Sequence, residues 1–163
     1  MLAKRRAFWA TNRVVNPVLR PMLRGRLGRQ LGGHLAVVRY RGRRTGNAYE
    51  LVAQYARDGS TVWILPGSPE LKTWWRNFRD AADIELWLAG QHLHGQARAI
   101  EGAREPAAVR EGLAFYLRQI PRARKSLGLN ASSGVADPAI EALSARAVVV
   151  RVDVELPGSG QTQ

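Results

Sequence analysis

Residues 35–66 read LAVVRYRGRRTGNAYELVAQYARDGSTVWILP, and this stretch decides the fold. Its apolar residues recur with a period of two, the spacing of a strand that is half buried. Leu35–Arg41 reads as a first strand, Gly42–Gly46 as a turn, and Tyr49–Arg57 as a second strand. Asp58-Gly59 is a strong hairpin signal, because glycine takes a positive φ without steric cost. Thr61–Pro66 then reads as a third strand. Three neighbouring strands joined by short turns pair antiparallel.

The rest of the chain extends this pattern. Gly67-Ser68-Pro69 is a loop, and Glu70–Arg79 reads as a short helix with Trp74, Trp75 and Phe78 apolar. Ile84–Ala89 and His92–Ile100 form a hairpin around Gly90-Gln91. Glu105–Gln119 reads as a helix with Pro106 in its first turn, where proline is tolerated. Pro121 ends or kinks it. Residues 128–138 read as a Gly/Asn/Ser/Pro loop, and Ala147–Val154 as a last strand. Strict βαβ alternation is absent, which argues against a doubly wound parallel sheet. The reading is a mainly β protein with helices (α+β), a largely antiparallel small barrel with helices outside. One domain is expected over residues 35–156, after a basic helical arm at 1–34 and before a polar tail at 157–163.

The arm carries most of the charge imbalance. The chain has 163 residues and a formal net charge of +12. Residues 1–49 hold 12 Lys+Arg and no Asp or Glu, while the remainder holds 13 of each sign. A one-sided positive field attracts phosphate-rich ligands, nucleic acid or anionic lipid. In residues 2–30 an apolar stripe that includes Phe8, Trp9, Val14, Val18, Leu19 and Leu23 is broken at Asn16-Pro17 and Arg20-Pro21. Such a segment can lie on an anionic membrane surface or pack on the domain with its arginines in water. No stretch reaches the roughly 18 uninterrupted apolar residues of a membrane span, and no signal-peptide pattern is seen. There is no cysteine, which removes disulfides, thiolate catalysis and cysteine-ligated metals. A cytoplasmic location is expected, with the arm allowing a peripheral position at the inner face of the membrane.

The chemistry allowed is narrow. G-x-S-x-G, H-E-x-x-H and the phosphate-binding P-loop pattern are absent. His92 and His94 lie two apart on one strand face, a geometry fit for a metal. No carboxylate accompanies them in sequence, so no metal is expected. The turn Gly42–Gly46 is more informative. Arg43 and Arg44 can give bidentate charge-assisted bonds to an anion, and Thr45 with the turn's N–H groups can add to the grip. Nucleic-acid binding is not expected, since no helix-turn-helix or RNP aromatic motif is found.

This turn and the later segment WILPGSPELKTWWRNF, residues 63–78, together resemble the deazaflavin (F420)-dependent nitroreductase family. That family belongs to the flavin/deazaflavin oxidoreductase split β-barrels, which are flavin-reductase/pyridoxamine-phosphate-oxidase-like. Its pattern has a strand, a T-x-G-R-[KR]-[ST]-G turn, and a strand ending in R-D-G. A strand running into a small-residue loop follows, then W-[YW]-x-N-[LF], then a hairpin. Here these are Tyr40–Gly46, Arg57-Asp58-Gly59, Val62–Ser68, Trp74–Phe78 and Ile84–Ile100.

The resemblance implies an F420-dependent oxidoreductase that transfers a hydride between the deazaflavin coenzyme and an organic acceptor. F420, with its phosphodiester and oligoglutamate tail, is a polyanion suited to a basic turn. Arg43, Arg44 and Thr45 are then expected to hold the phosphate. Leu65, Pro66, Gly67 and Ser68 are expected against the ring, with Gln54 on the neighbouring strand. Asn77 and Lys72 are expected at the polar part, and Trp74 and Trp75 as walls or core. The catalytic group is not identified; Tyr116 and Tyr55 are proton donors by residue type only. Nitroreducing members carry a lysine where this chain has Ser68, and tyrosines where it has Ala123 and Ser126, so the substrate wall differs. The alternatives are an FMN- or haem-binding split barrel, with His92 or His94 as the haem ligand, or a non-enzymatic binder of anionic surfaces. Split barrels of this kind often pair as homodimers. The arginine- and alanine-rich composition suits a high-GC bacterium, and an actinobacterial source fits the coenzyme.

Overall fold

The structure, a computed structural model, describes residues 33–130 and 137–155 together with Pro21 and Arg24. Six strands close into one barrel: β1 (Leu35–Arg41), β2 (Ala48–Asp58), β3 (Thr61–Ile64), β4 (Ala82–Leu88), β5 (Gln91–Glu101) and β6 (Val148–Val154). Their order around the barrel is β1-β2-β3-β6-β5-β4, and every neighbouring pair is antiparallel. The antiparallel barrel expected from the period-two runs is therefore present.

The alternation places one face of each strand inside. Ala36, Val38 and Tyr40 of β1, Leu86 and Leu88 of β4, and Val150 and Val152 of β6 share one interior cluster. Truncating a buried Leu or Ile there costs about 2–5 kcal/mol. Two tight turns carry positive φ: Gly59 at +54° between β2 and β3, and Ala89 and Gly90 at 48° and 76° between β4 and β5. Two successive positive φ values fit the right-handed twist of a hairpin.

Helix α1 (Pro106–Gln119) lies on the outside. Leu113, Tyr116 and Leu117 pack with Ala56 of β2, while Val109 packs with Trp63 and Val149. Gly112 lets the Trp63 ring approach so closely that a Cβ there would sit 2.6 Å from it. Two short helices follow, α2 (Ala123–Ser126) and α3 (Pro138–Ser144). Ile140 of α3 joins the cluster of Leu113 and Leu117.

Some element expectations need correction. The segment 70–79 is not a helix of ten residues but a single 3-10 helix, Trp74–Phe78. Residues 68–72 form a turn instead, with the Ser68 carbonyl accepting from the Leu71 and Lys72 N–H groups. Helices α2 and α3 were not expected. The signal for α3 is in the sequence: Asp137 caps it, accepting the Ala139 N–H at 2.7 Å, and Pro138 follows in the first turn. β3 ends at Ile64 rather than Pro66.

The basic arm lies outside the described residues except at its end and at Pro21 and Arg24, as does the tail 157–163. Arg24 pairs with Glu50 of β2 and places its guanidinium 4.3 Å from the Trp87 ring of β4. Among the described residues no helix is long and apolar enough to cross a membrane.

Candidate functional site

A cavity of about 260 Å³ opens beside the first half of β2, lined from both faces of the strand. Strand β2 contributes Leu51, Val52, Ala53 and Gln54 to its wall. The loop after β3 contributes Leu65, Pro66 and Gly67; Lys72 and Trp74 come from the segment that follows. Tyr116 of α1, with Ala123, Ser126 and Leu127, closes the far side. Loop and helix meet here because α1 packs across the outside of β2 and β3.

The polar groups in this cavity are ordered by burial. The Tyr116 hydroxyl donates to Gln54 Oε1 at 3.1 Å. Burial pushes the Tyr116 pKa up to about 12, with the Arg122 charge pulling weakly the other way. The phenol thus keeps its proton at neutral pH. Burial lowers the Lys72 pKa from its ordinary value, because a desolvated ammonium is disfavoured. The Lys72 amine folds back over the loop, 3.7 Å from where a Cβ on Gly67 would stand.

Six expected site residues meet at this cavity: Gln54, Leu65, Pro66, Gly67, Lys72 and Trp74. Trp74 is half-buried and also packs on Tyr40 and Phe78. Trp75 goes elsewhere. It is 3% exposed, belongs to the barrel interior, and its indole N–H donates to the Pro69 carbonyl at 2.9 Å. Ser68 is exposed and sits at φ +53°, making the turn rather than the cavity wall.

Arg43, Arg44 and Thr45 form a separate exposed turn. Gly42 donates to the Asn47 carbonyl, and Gly46, at φ +68°, donates back to the Gly42 carbonyl. Thr45 Oγ1 lies 3.1 Å from the Tyr49 hydroxyl and accepts from the Asn47 N–H. The Arg43 guanidinium reaches Asp80 at 3.1 Å, an exposed pair of little energetic weight. Arg44 has no hydrogen bond or ion pair among the described residues. Asn77 joins the turn to the cavity. Its Oδ1 accepts the Arg43 N–H at 2.9 Å, while its Nδ2 donates to the carbonyl of Trp74 at 2.8 Å. Asn77 therefore spends both ends of its amide holding protein rather than facing the cavity.

The sequence does not single out Leu51, Val52 and Ala53 of β2 or Leu127 as lining residues, since strand alternation marks no cavity and α2 gives no periodic signal in four residues; Ala123 and Ser126, expected at the substrate wall, do line the cavity. The sequence marks Tyr116 by residue type alone; the hydrogen bond to Gln54 appears only when α1 docks on β2.

Comparison with known proteins adds two findings. The model of a family described as F420H(2)-dependent quinone reductase matches residues 5–119. A solved structure from Bacteroides thetaiotaomicron, whose description names 5-nitroimidazole antibiotic resistance, is similar at a TM-score of 0.42 and 15% identity, covering 78% of this chain and 76% of its own. No curated protein matches the chain.

Proposed function

The chain belongs to the F420H(2)-dependent quinone reductase family, and from that premise we propose that it carries a hydride between coenzyme F420 and a quinone-type acceptor. Family membership makes it an oxidoreductase. The observation that supports the finer reading is the cavity beside β2, tied through Asn77 to the basic turn.

The residues present suit the coenzyme. Arg43 and Arg44 are exposed at a turn with a positive-φ glycine, a fit for a phosphodiester and carboxylates. The cavity offers Trp74, Leu65 and Leu127 to pack against a ring, and Gln54, Lys72, Tyr116 and Ser126 as polar groups to orient it. When bound, the reduced deazaflavin supplies the hydride, as cofactors generally carry the difficult step.

The chain's own residues then position and exclude. Tyr116 holds the Gln54 carbonyl oxygen, which leaves the Gln54 Nε2 protons to point at an acceptor. Leu65, Ala123 and Leu127 keep water from that side of the cavity. Lys72, with its lowered pKa, stands at the edge as a donor to an anionic oxygen. The Asn77 link fixes the turn relative to Trp74, so the phosphate and ring ends of one ligand are held in register.

Coenzyme titration followed by fluorescence tests this reading, with wild type beside the Arg43→Ala/Arg44→Ala double variant. Saturable binding that weakens at least tenfold in the double variant is expected, since two charge-assisted contacts are worth about 1.5–3 kcal/mol each. Turnover of a soluble quinone by the reduced coenzyme completes the test. Absence of binding in wild type overturns the reading; FMN binding in its place would redirect it to a flavin protein.

A further inference from the structure

The outer face of the β4–β5 hairpin holds a second constellation, apart from the cavity beside β2. Strands β4 and β5 pair so that Glu85 stands opposite His94 and Trp87 opposite His92. Their neighbours Ile84, Leu86, Leu88 and Leu93 occupy the barrel interior. The period of two therefore turns Glu85, Trp87, His92 and His94 outward as one four-residue block.

Three of these four carry metal-donor atoms, and the donor atoms of Glu85, His92 and His94 all lie within 4.8 Å of one another. His92 Nε2 is 3.0 Å from Glu85 Oε2. The fourth residue braces the set: the Trp87 ring stacks on the His92 ring at 4.2 Å and 6°. Arg24 lies over the same indole at 4.3 Å. Arg39 of β1, opposite Glu85 in register, approaches the other carboxylate oxygen, Oε1, at 3.9 Å. That contact uses Oε1 and leaves Oε2 facing His92.

We propose that Glu85, His92 and His94 form a binding site for a borderline divalent cation of the Zn²⁺ type. Two imidazoles and one carboxylate suit zinc, nickel or copper and not the oxygen-seeking Mg²⁺ or Ca²⁺. Bonds of about 2.0–2.2 Å in a tetrahedron put donor atoms about 3.3 Å apart. The donors need to close by about 1.5 Å from their widest separation, a side-chain adjustment on a fixed backbone. The cation replaces the His92–Glu85 hydrogen bond with two metal bonds.

Three protein ligands leave a coordination position open. Glu85 and His94 also line a hollow of about 490 Å³, shared with Arg39, Arg41, Asp83 and Gln96. That hollow has room for water or another oxygen ligand on the cation. It shares no lining residue with the cavity beside β2. The site thus clips β4 to β5 on a face of the barrel not used by the proposed coenzyme cavity.

The test uses the full chain without an affinity tag, titrated with ZnCl₂ in a calorimeter. Wild type is expected to bind one Zn²⁺ per chain and to melt at a higher temperature with the metal. His94→Ala and Glu85→Gln are each expected to weaken binding about tenfold or more. Both positions face out of the barrel, so the metal-free melting temperatures of these variants should match wild type. A Cu²⁺ spectrum showing nitrogen coupling that falls to one imidazole in His94→Ala gives a second readout. Absence of saturable binding, or binding that either variant leaves intact, overturns the site.

Discussion

Asn77 Oδ1 accepts the backbone N–H of Arg43 at 2.9 Å, across 34 residues of sequence. This bond joins the basic turn to the 3-10 helix that carries Trp74 into the cavity wall. Asn77→Ala removes it together with the bond from Nδ2 to Trp74. A loss of about 1–3 kcal/mol is expected for the two, read as a lower urea midpoint. Coenzyme affinity should fall with it, because the turn is no longer fixed. Weaker binding without any shift in midpoint would separate the two effects; an unchanged midpoint and affinity would show that other contacts hold the turn.

Tyr116 gives a signature in alkali. Burial raises its pKa from the ordinary 10.0 to about 12. The folded protein therefore holds the phenolic proton more tightly than the unfolded chain does. The corresponding stability is fully present below pH 10 and is lost as the pH climbs toward 12, at most about 2–3 kcal/mol. Burial raises Tyr40 and Tyr55 in the same sense. Lys72, whose pKa is lowered, contributes a slope of opposite sign below its ordinary 10.5. Tyr116→Phe should flatten the decline between pH 10 and 12 in chemical melts and leave the other contributions in place. An identical slope in the variant would mean that Tyr116 ionises like a free tyrosine.

Gly112 is expected to tolerate no side chain. A Cβ would stand 2.6 Å from two carbons of the Trp63 ring. The ring is 8% exposed and boxed in by Ile100, Val109 and Val149. Gly112→Ala should therefore destabilise by about 1–3 kcal/mol through overpacking, although alanine is the better helix former. A stabilised variant would mean that α1 can slide outward.

Ala89 points the other way. It sits at φ 48° in the β4–β5 turn, where an L-residue with a Cβ pays roughly 1 kcal/mol or more. Ala89→Gly removes that strain and loses only a partly buried methyl. A net gain of about 0.5–1 kcal/mol is expected in thermal melts. Loss of stability would show that the methyl's packing outweighs the backbone strain.

The barrel was legible because its evidence is local. Strands β1 to β3 announce themselves by alternation and by Asp58-Gly59, and each signal sits within a few residues of the structure it makes. The 3-10 helix was overread because Trp74, Trp75 and Phe78 satisfy a helical spacing for one turn, and one turn is all that forms. Helix α3 was lost among polar residues although Asp137-Pro138 marks its start.

The site was only half legible for a related reason. The ring end of the cavity uses consecutive residues, Leu65 to Gly67, which a motif can carry. Its other wall comes from Tyr116, Ser126 and Leu127, and depends on where α1 lands on β2. In the same way no spacing rule brings Glu85 to His94, nine residues later; the hairpin register does.

Closure of the barrel has a consequence for association. Strand β1 is bonded on both sides, to β2 and to β4, and each of the other strands likewise has two neighbours. Among the described residues no strand lacks a second neighbour, so open backbone is confined to stretches such as the first half of β2, which before Tyr55 pairs with β1 alone. A partner then meets mostly side-chain surfaces on this barrel, and those outward-facing residues can change without disturbing the strand pairing.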